Sequence, residues 1–227
     1  MMRTLVAVSV SLLVACGSND NHTSSDAAHQ IDGAGSGSGN CTAHRTVFLA
    51  TNGGHYAPGA DDSRANTSQI LSGPTDLAAY PGSDFAAVKT CIVAGLAGFP
   101  IDVTDVDPGT TDHIELVFTT TVPNLASQVG ATSVSCTAQH NPVAFVEGSN
   151  LHNTASVCGV ALGLLGVTQG LDYTSAGNDY MSFNVCGSGC SFADAQETCD
   201  SGNPGMCLCS TGTTEDPATK LRAALCN

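Results

Sequence analysis

The sequence predicts one α/β (α+β) domain over residues 41–227, and three observations support this. Apolar strand-like runs alternate with helix-like segments, an order that is typical of mixed α/β proteins. The range is long enough to enclose one hydrophobic core. The preceding segment, 16–40, has a single large aliphatic residue, Ile31, so we expect a flexible tether there.

The domain is predicted to begin with a strand, a loop and a helix. Residues 44–51 form an apolar run that ends at the turn residues Asn52-Gly53-Gly54, which indicates a buried strand. The stretch 55–80 is polar and predicts a long loop. Ser83 is an N-cap residue for a helix with apolar side chains on one face, and this helix is expected to stop at Gly98.

Four strands are predicted next. The runs 101–106 and 113–121 are rich in β-branched residues, and the turn Asp107-Pro108-Gly109 separates them. Two shorter runs, 133–137 and 143–146, predict further strands.

The last third combines a buried helix with irregular chain. Residues 153–165 are mostly small and apolar, which is typical of a helix that is covered on all sides. A loop containing Gly170 and Gly177 follows. From Cys186 onward the chain is a cysteine-rich subdomain, and a helix over 217–225 is expected near its end.

The N-terminus has the pattern of an export signal. Arg3 and the apolar run Leu5–Leu13 are typical of a signal peptide, and the run is too short to span a bilayer. It ends in Leu13-Val14-Ala15-Cys16, which resembles the bacterial lipobox. The resemblance implies that residues 1–15 are removed and that Cys16 is acylated, giving a lipoprotein with a membrane anchor. The alternative is ordinary cleavage that leaves Cys16 as a thiol.

The charge balance excludes some partners. After processing, five basic and twenty acidic side chains remain, too few cations to neutralise many phosphates, so we expect no nucleic acid ligand. An acidic chain is repelled by anionic lipid, so the acyl group has to hold it at the membrane. By resemblance to Gram-negative sorting rules, Gly17 favours the outer membrane.

Ten cysteines remain beside Cys16, and an even number in an exported protein predicts disulfides. The alternative is zinc bound by Cys186-x3-Cys190 and Cys207-x-Cys209, but these spacings miss the usual C-x2-C pair. The disulfide candidates are Cys41, Cys91, Cys136, Cys158, Cys186, Cys190, Cys199, Cys207, Cys209 and Cys226.

The buried helix carries a recognisable pattern of small residues over 156–167, SVCGVALGLLGV. The stretch resembles H-E-x-x-H-x-x-G-x-x-H of the metzincin zinc proteases, in particular bacterial matrixin-like members. The matching non-ligand positions are Gly159, Gly163, Leu164 and Val167. In that motif two histidines share a helix face, and a glycine then breaks the helix so that a third histidine reaches the same metal.

The resemblance extends from about residue 46 to 225. It covers a first strand ending in Gly-Gly, a long helix, the stretch 103–109, an edge strand and the strand 143–146. Met181 stands where a Met-turn methionine is expected. The resemblance implies a twisted mixed sheet with a former active-site helix beside it. The alternative is an unrelated disulfide-rich α/β domain.

The resemblance implies a pseudoenzyme. Ser156, Val160 and Gly166 occupy the three ligand positions, and Val157 occupies the general-base position. Valine and glycine side chains offer no donor to a metal, and valine accepts no proton. We therefore expect no catalytic zinc.

Two other metal sites are weaker alternatives. A rebuilt zinc site would need histidines at H-x3-H spacing, which His55, His113, His140 and His152 do not have. A structural calcium could use Asp61, Asp62, Asp105, Asp107 and Asp112, although D-x-D-P-G is typical of turns rather than of a twelve-residue calcium loop.

Three functions remain open. The first is non-catalytic binding of a peptide or protein along the edge strand beside the former cleft. The second is a metallopeptidase or other hydrolase with an unrecognised site. The third is a disulfide-rich structural protein of the cell surface.

Overall fold

The computed structural model describes residues 44–82, 84–122, 128–151, 153–186 and 188–226. The expected signal peptide, acylated Cys16, tether and Cys41 lie outside the described residues, as do Ser83 and His152. Within the described ranges, no helix has the length and apolar character needed to cross a bilayer.

The described chain contains groups of strands separated by single helices. In order, they are β1 (Arg45–Ala50), β2 (Gly54–Pro58), β3 (Thr67–Ser68), β4 (Thr75–Leu77), α1 (Phe85–Gly95), β5 (Ile101–Thr104), β6 (Ile114–Thr119), β7 (Gly130–Thr132), β8 (Val143–Glu147), α2 (Thr154–Thr168), β9 (Glu197–Thr198), β10 (Thr214–Glu215) and α3 (Pro217–Leu225).

The main sheet has five strands in the order β5-β1-β6-β8-β7. The first four are parallel, and β7 pairs antiparallel with β8 at the edge. The register places Val47 beside Ile114 and Val117 beside Phe145. The fold is therefore mixed α/β, as the sequence predicts.

Both faces of this sheet are buried, which is why its strands are continuous apolar runs. Side chains such as Leu49, Leu116 and Val146 point to one face and pack with α1 and α2. Their neighbours, such as Val117 and Phe145, point to the other face and pack under the segment 54–77.

The segment 55–80, predicted as a loop, contains a small sheet of order β3-β2-β4. Its strands are two to five residues long and mostly polar, so hydrophobic periodicity gave no sign of them. They are defined by backbone pairing, and Tyr56 and Leu77 are the side chains that fix them to the main sheet.

The predicted position of the edge strand was also wrong. A strand was predicted at 133–137, whereas β7 covers Gly130–Thr132. The chain leaves the sheet after β7, and Cys136 bonds to Cys209 in the C-terminal subdomain.

Helix α2 begins where the sequence predicts. The Asn153 side chain accepts a hydrogen bond from Ser156 N at 2.8 Å, which satisfies one of the free N–H groups at a helix start. Twelve of its fifteen residues are buried, as the composition predicts. Helix α1 packs against α2 and ends at Gly95, three residues earlier than expected.

Disulfides confirm the cysteine prediction wherever the chain is described. All nine described cysteines are disulfide-bonded, which excludes zinc-bound thiolates at Cys186, Cys190, Cys207 and Cys209. The described pairs are Cys91–Cys158, Cys136–Cys209, Cys186–Cys190 and Cys199–Cys207. The first joins α1 to α2, and the second joins the loop after β7 to the C-terminal subdomain.

Candidate functional site

A groove with a cavity of about 120 Å³ lies between the edge strand β7 and the C-terminal part of the domain. Helix α2 forms its floor through Val160, Gly163 and Val167. Residues 128–132 and Val134 form one wall. The opposite wall comes from 171–173, Tyr180, Ser182, Phe183, Val185, Cys186, Ser201 and 208–209.

Small residues on α2 bring the opposite wall close to the helix. A Cβ atom at Gly159 would lie 2.3 Å from the carbonyl oxygen of Cys186, and one at Gly163 would lie 2.9 Å from that of Tyr180. Any larger side chain at Gly159 would therefore push the wall away. Close packing explains these two glycines without reference to catalysis.

Of the four positions singled out on α2, only Val160 lines the groove. Ser156 lies in the first turn and is half-buried. Val157 is 1% exposed and packs in the core. Gly166 faces away from the groove, toward Met181.

The position of Gly166 follows from the length of α2. The helix continues through Gly163 to Thr168, although the resemblance implies a break at that glycine. At 3.6 residues per turn, Ser156, Val160 and Gly163 share one face, and Gly166 lies roughly a quarter turn away. The three ligand positions of the resemblance therefore do not converge here.

Met181 lies directly beneath α2. It is fully buried, and a Cβ atom at Gly166 would be 2.2 Å from its Sδ atom. Asp179 holds the turn by accepting a hydrogen bond from Met181 N at 2.9 Å. Burial raises the pKa of the Asp179 carboxyl, against the opposing effect of this bond.

Asp172 fixes the far wall of the groove. Its carboxylate accepts hydrogen bonds from the backbone N–H groups of Leu208 at 2.6 Å and Cys209 at 2.9 Å. Its own N–H donates to Glu215 Oε1 at 2.9 Å, and Lys220 bonds the other oxygen of Glu215. Burial raises the pKa of the Glu215 carboxyl. This cluster could not be predicted from the sequence because Asp172 is far along the chain from Glu215 and Lys220.

The described residues contain one compact group of possible metal ligands, but this group cannot bind a metal through its cysteines. Asp172, Cys199 and Cys207 place ligand atoms within 4.8 Å of one another. Cys199 and Cys207 are bonded to each other, however, so neither is available as a thiolate.

The aspartates considered for calcium are already engaged by donors. Asp61 accepts hydrogen bonds from Ser68, Gln69 and Ser133. The others bond as follows: Asp62 and Asp112 to Arg64, Asp105 to Lys89, and Asp107 to the backbone of Gly109. They hold loops together in this structure and form no common ligand set among the described residues.

The described histidines lie apart from the groove lining. His55 bonds the exposed Asp76 at 2.7 Å. His113 is buried against Phe48. Neither they nor His140 line the cavity.

A buried acid lies on the opposite face of the sheet. Glu115 is 2% exposed, and its Oε1 atom accepts a hydrogen bond from Tyr56 at 2.8 Å. Its Oε2 atom has no hydrogen-bond partner. Burial raises the pKa of Glu115 to about 7, the Tyr56 bond lowers it, and Asp107 raises it. A charged residue between Ile114 and Leu116 in a predicted buried strand was the signal that the sequence offered.

Comparison with known proteins adds no relative. No protein-family model, no curated protein and no solved structure matches this chain. The function has to be argued from the groove itself.

Proposed function

We propose that this chain is an exported bacterial lipoprotein with a metzincin-like pseudoprotease domain that binds extended peptide segments and does not cleave them. The observation that carries the proposal is the groove, in which an apolar cavity adjoins an edge strand whose outer side pairs with no other described strand.

The edge strand has backbone groups available for a ligand. Glu147 N donates to Val129 O at 3.0 Å, which makes these two residues a hydrogen-bonded pair. Such pairs alternate along an antiparallel ladder, so the next one joins Ala131 to Phe145. The N–H and C=O groups of Gly130 and Thr132 therefore point to the open side, where an added strand would pair with them.

The cavity has room for one side chain. Its volume of about 120 Å³ is slightly below that of an engineered apolar cavity of about 150 Å³ that binds benzene. Val160, Leu164, Val167 and Leu171 contribute apolar surface. A branched aliphatic side chain of the ligand fits this size and character.

The groove lacks the groups that peptide hydrolysis needs. Among the described residues that line it, Asp172 is the one carboxylate and there is no histidine. Asp172 is occupied by backbone N–H groups, so it is poorly suited to act as a base or a metal ligand. The absence of donor side chains at Val157, Val160 and Gly166 agrees with this.

Several features support the metzincin-like part of the proposal. The antiparallel edge strand precedes the strand at 143–147, α2 follows it, and Met181 lies under Gly166. The unbroken α2 departs from the motif, and it is consistent with a helix that no longer has to position a third ligand. The disulfides support export to an oxidising compartment.

The test is peptide-array binding by the purified domain and by Val160→Phe, which places a larger side chain in the cavity. Val93→Phe is the matched control, because Val93 lies on α1 with 47% exposure and does not line the groove. We expect Val160→Phe to lose binding and Val93→Phe to keep it.

A second variant keeps the proposal testable if Val160→Phe does not fold. Thr132→Pro removes an outward N–H group without removing a β7–β8 backbone bond, and we expect it to weaken binding as well. Binding that survives both changes would contradict the proposal. Absence of any binding by the wild-type domain would favour a structural surface protein.

A further inference from the structure

The lysine and arginine side chains that the structure describes are already neutralised or hydrogen-bonded within the fold. The sequence has six lysine and arginine residues, five of them in the described ranges. Their partners are Asp62 and Asp112 for Arg64, Asp105 for Lys89, Glu215 for Lys220, Asp194 for Arg222, and backbone carbonyls with Gln169 for Arg45. The remaining acidic side chains set the sign of the external field, which is negative.

Two acidic residues, Glu197 and Asp200, belong to a segment that runs beside one wall of the groove, although neither lines the cavity itself. Asp200 N donates to Tyr173 O at 2.8 Å, and Ser175 N donates to Thr198 O at 2.8 Å. The segment 198–200 therefore runs directly beside the groove wall. Among the described residues, neither Asp200 nor nearby Glu197 has a cationic partner.

A free polar atom lies in the same wall. Ser201 lines the groove, and its Oγ atom is buried without a hydrogen-bond partner. A buried hydroxyl without a partner is unfavourable, and a bound ligand with a polar group at this point would supply the missing hydrogen bond.

We infer that the natural ligand of the groove is a cationic extended segment, with an aliphatic residue in the cavity and lysine or arginine outside it, next to Glu197 and Asp200. This inference rests on the proposed peptide binding and adds the chemical class of the ligand. The open edge of β7 supplies backbone pairing, the cavity selects the aliphatic residue, and the carboxylates select positive charge. They also accelerate encounter with a cationic partner at low salt.

The experiment uses three nine-residue peptides that share a central leucine and differ only in flanking residues, which are lysine, serine or glutamate. Their affinities for the full mature chain are measured by fluorescence anisotropy at low and high salt. We expect the lysine peptide to bind about fivefold more tightly than the serine peptide, since one exposed charge pair contributes up to about 1 kcal/mol. High salt should reduce this preference.

Asp200→Asn should reduce the affinity for the lysine peptide more than the affinity for the serine peptide, so that the preference for lysine falls. Asp76→Asn is the matched control, because it removes the same charge from β4, outside the groove lining. Equal binding of lysine and serine peptides at low salt would overturn the inference and leave peptide binding intact. Binding of none of the three would instead count against the proposed function.

Discussion

Replacing Glu115 by glutamine should stabilise the domain at alkaline pH and leave it nearly unchanged at acidic pH. Glutamine has the shape of the protonated acid and retains an oxygen to accept the Tyr56 hydrogen bond. It removes only the ability to ionise. The variant therefore isolates the cost of a charge in an apolar environment.

The size of the effect follows from the pKa of Glu115. Burial raises it from 4.5 to about 7, and one unit corresponds to about 1.4 kcal/mol. Below pH 4.5 the Glu115 carboxyl is neutral in both the folded and the unfolded state, so its ionisation does not lower the free energy of unfolding. As the pH rises to 7, only the unfolded state releases the proton, and the free energy of unfolding falls by about 3 kcal/mol in total.

The assay is urea denaturation of both proteins between pH 4 and pH 8. The difference in unfolding free energy should grow with pH and level off above 7. The buried acids Asp179 and Glu215, whose pKa values are also raised, are present in both proteins and cancel in the difference. A difference that is constant across this range would refute the account. Tyr56→Phe should raise the pKa of Glu115 further, because it removes the bond that lowers it.

Four other results are expected. Removing the Cys91–Cys158 disulfide, whose cysteines are 67 residues apart, should cost about 4 kcal/mol of unfolding free energy in chemical denaturation; a cost near zero would contradict this. Gly166→Ala should lower stability by about 1–3 kcal/mol through its contact with Met181, and an unchanged melting temperature would show that the contact relaxes freely. Cys16→Ser should abolish acyl labelling, so labelling that persists would remove the lipoprotein assignment. Purified protein should contain well under one zinc per chain by elemental analysis, and stoichiometric zinc would overturn the loss of the metal site.

The sequence predicted those parts of the fold that depend on long apolar patterns. Strands β1, β6 and β8 are buried on both faces, and α2 is covered on nearly all sides, so composition alone identified them. The small sheet of β2, β3 and β4 was missed because its pairing is made by backbone groups between polar residues. Such pairing leaves no periodic signal.

The candidate site was predicted only in part. The sequence pointed to α2 and Met181, and the structure places Met181 beneath that helix. It did not show that α2 continues through Gly163, because a glycine within a helix is compatible with either a break or close packing. The Asp172 cluster joins positions that are 36 to 43 residues apart, and no local sequence pattern indicates contacts of that kind.

Mass spectrometry of recovered peptides distinguishes binding in the groove from hydrolysis there. A peptide library is incubated with the mature protein, bound peptides are recovered, and their termini are read by mass spectrometry with and without a chelator. We expect intact peptides to be enriched equally under both conditions. New termini that disappear when the chelator is present would contradict the proposal that the groove does not cleave peptides.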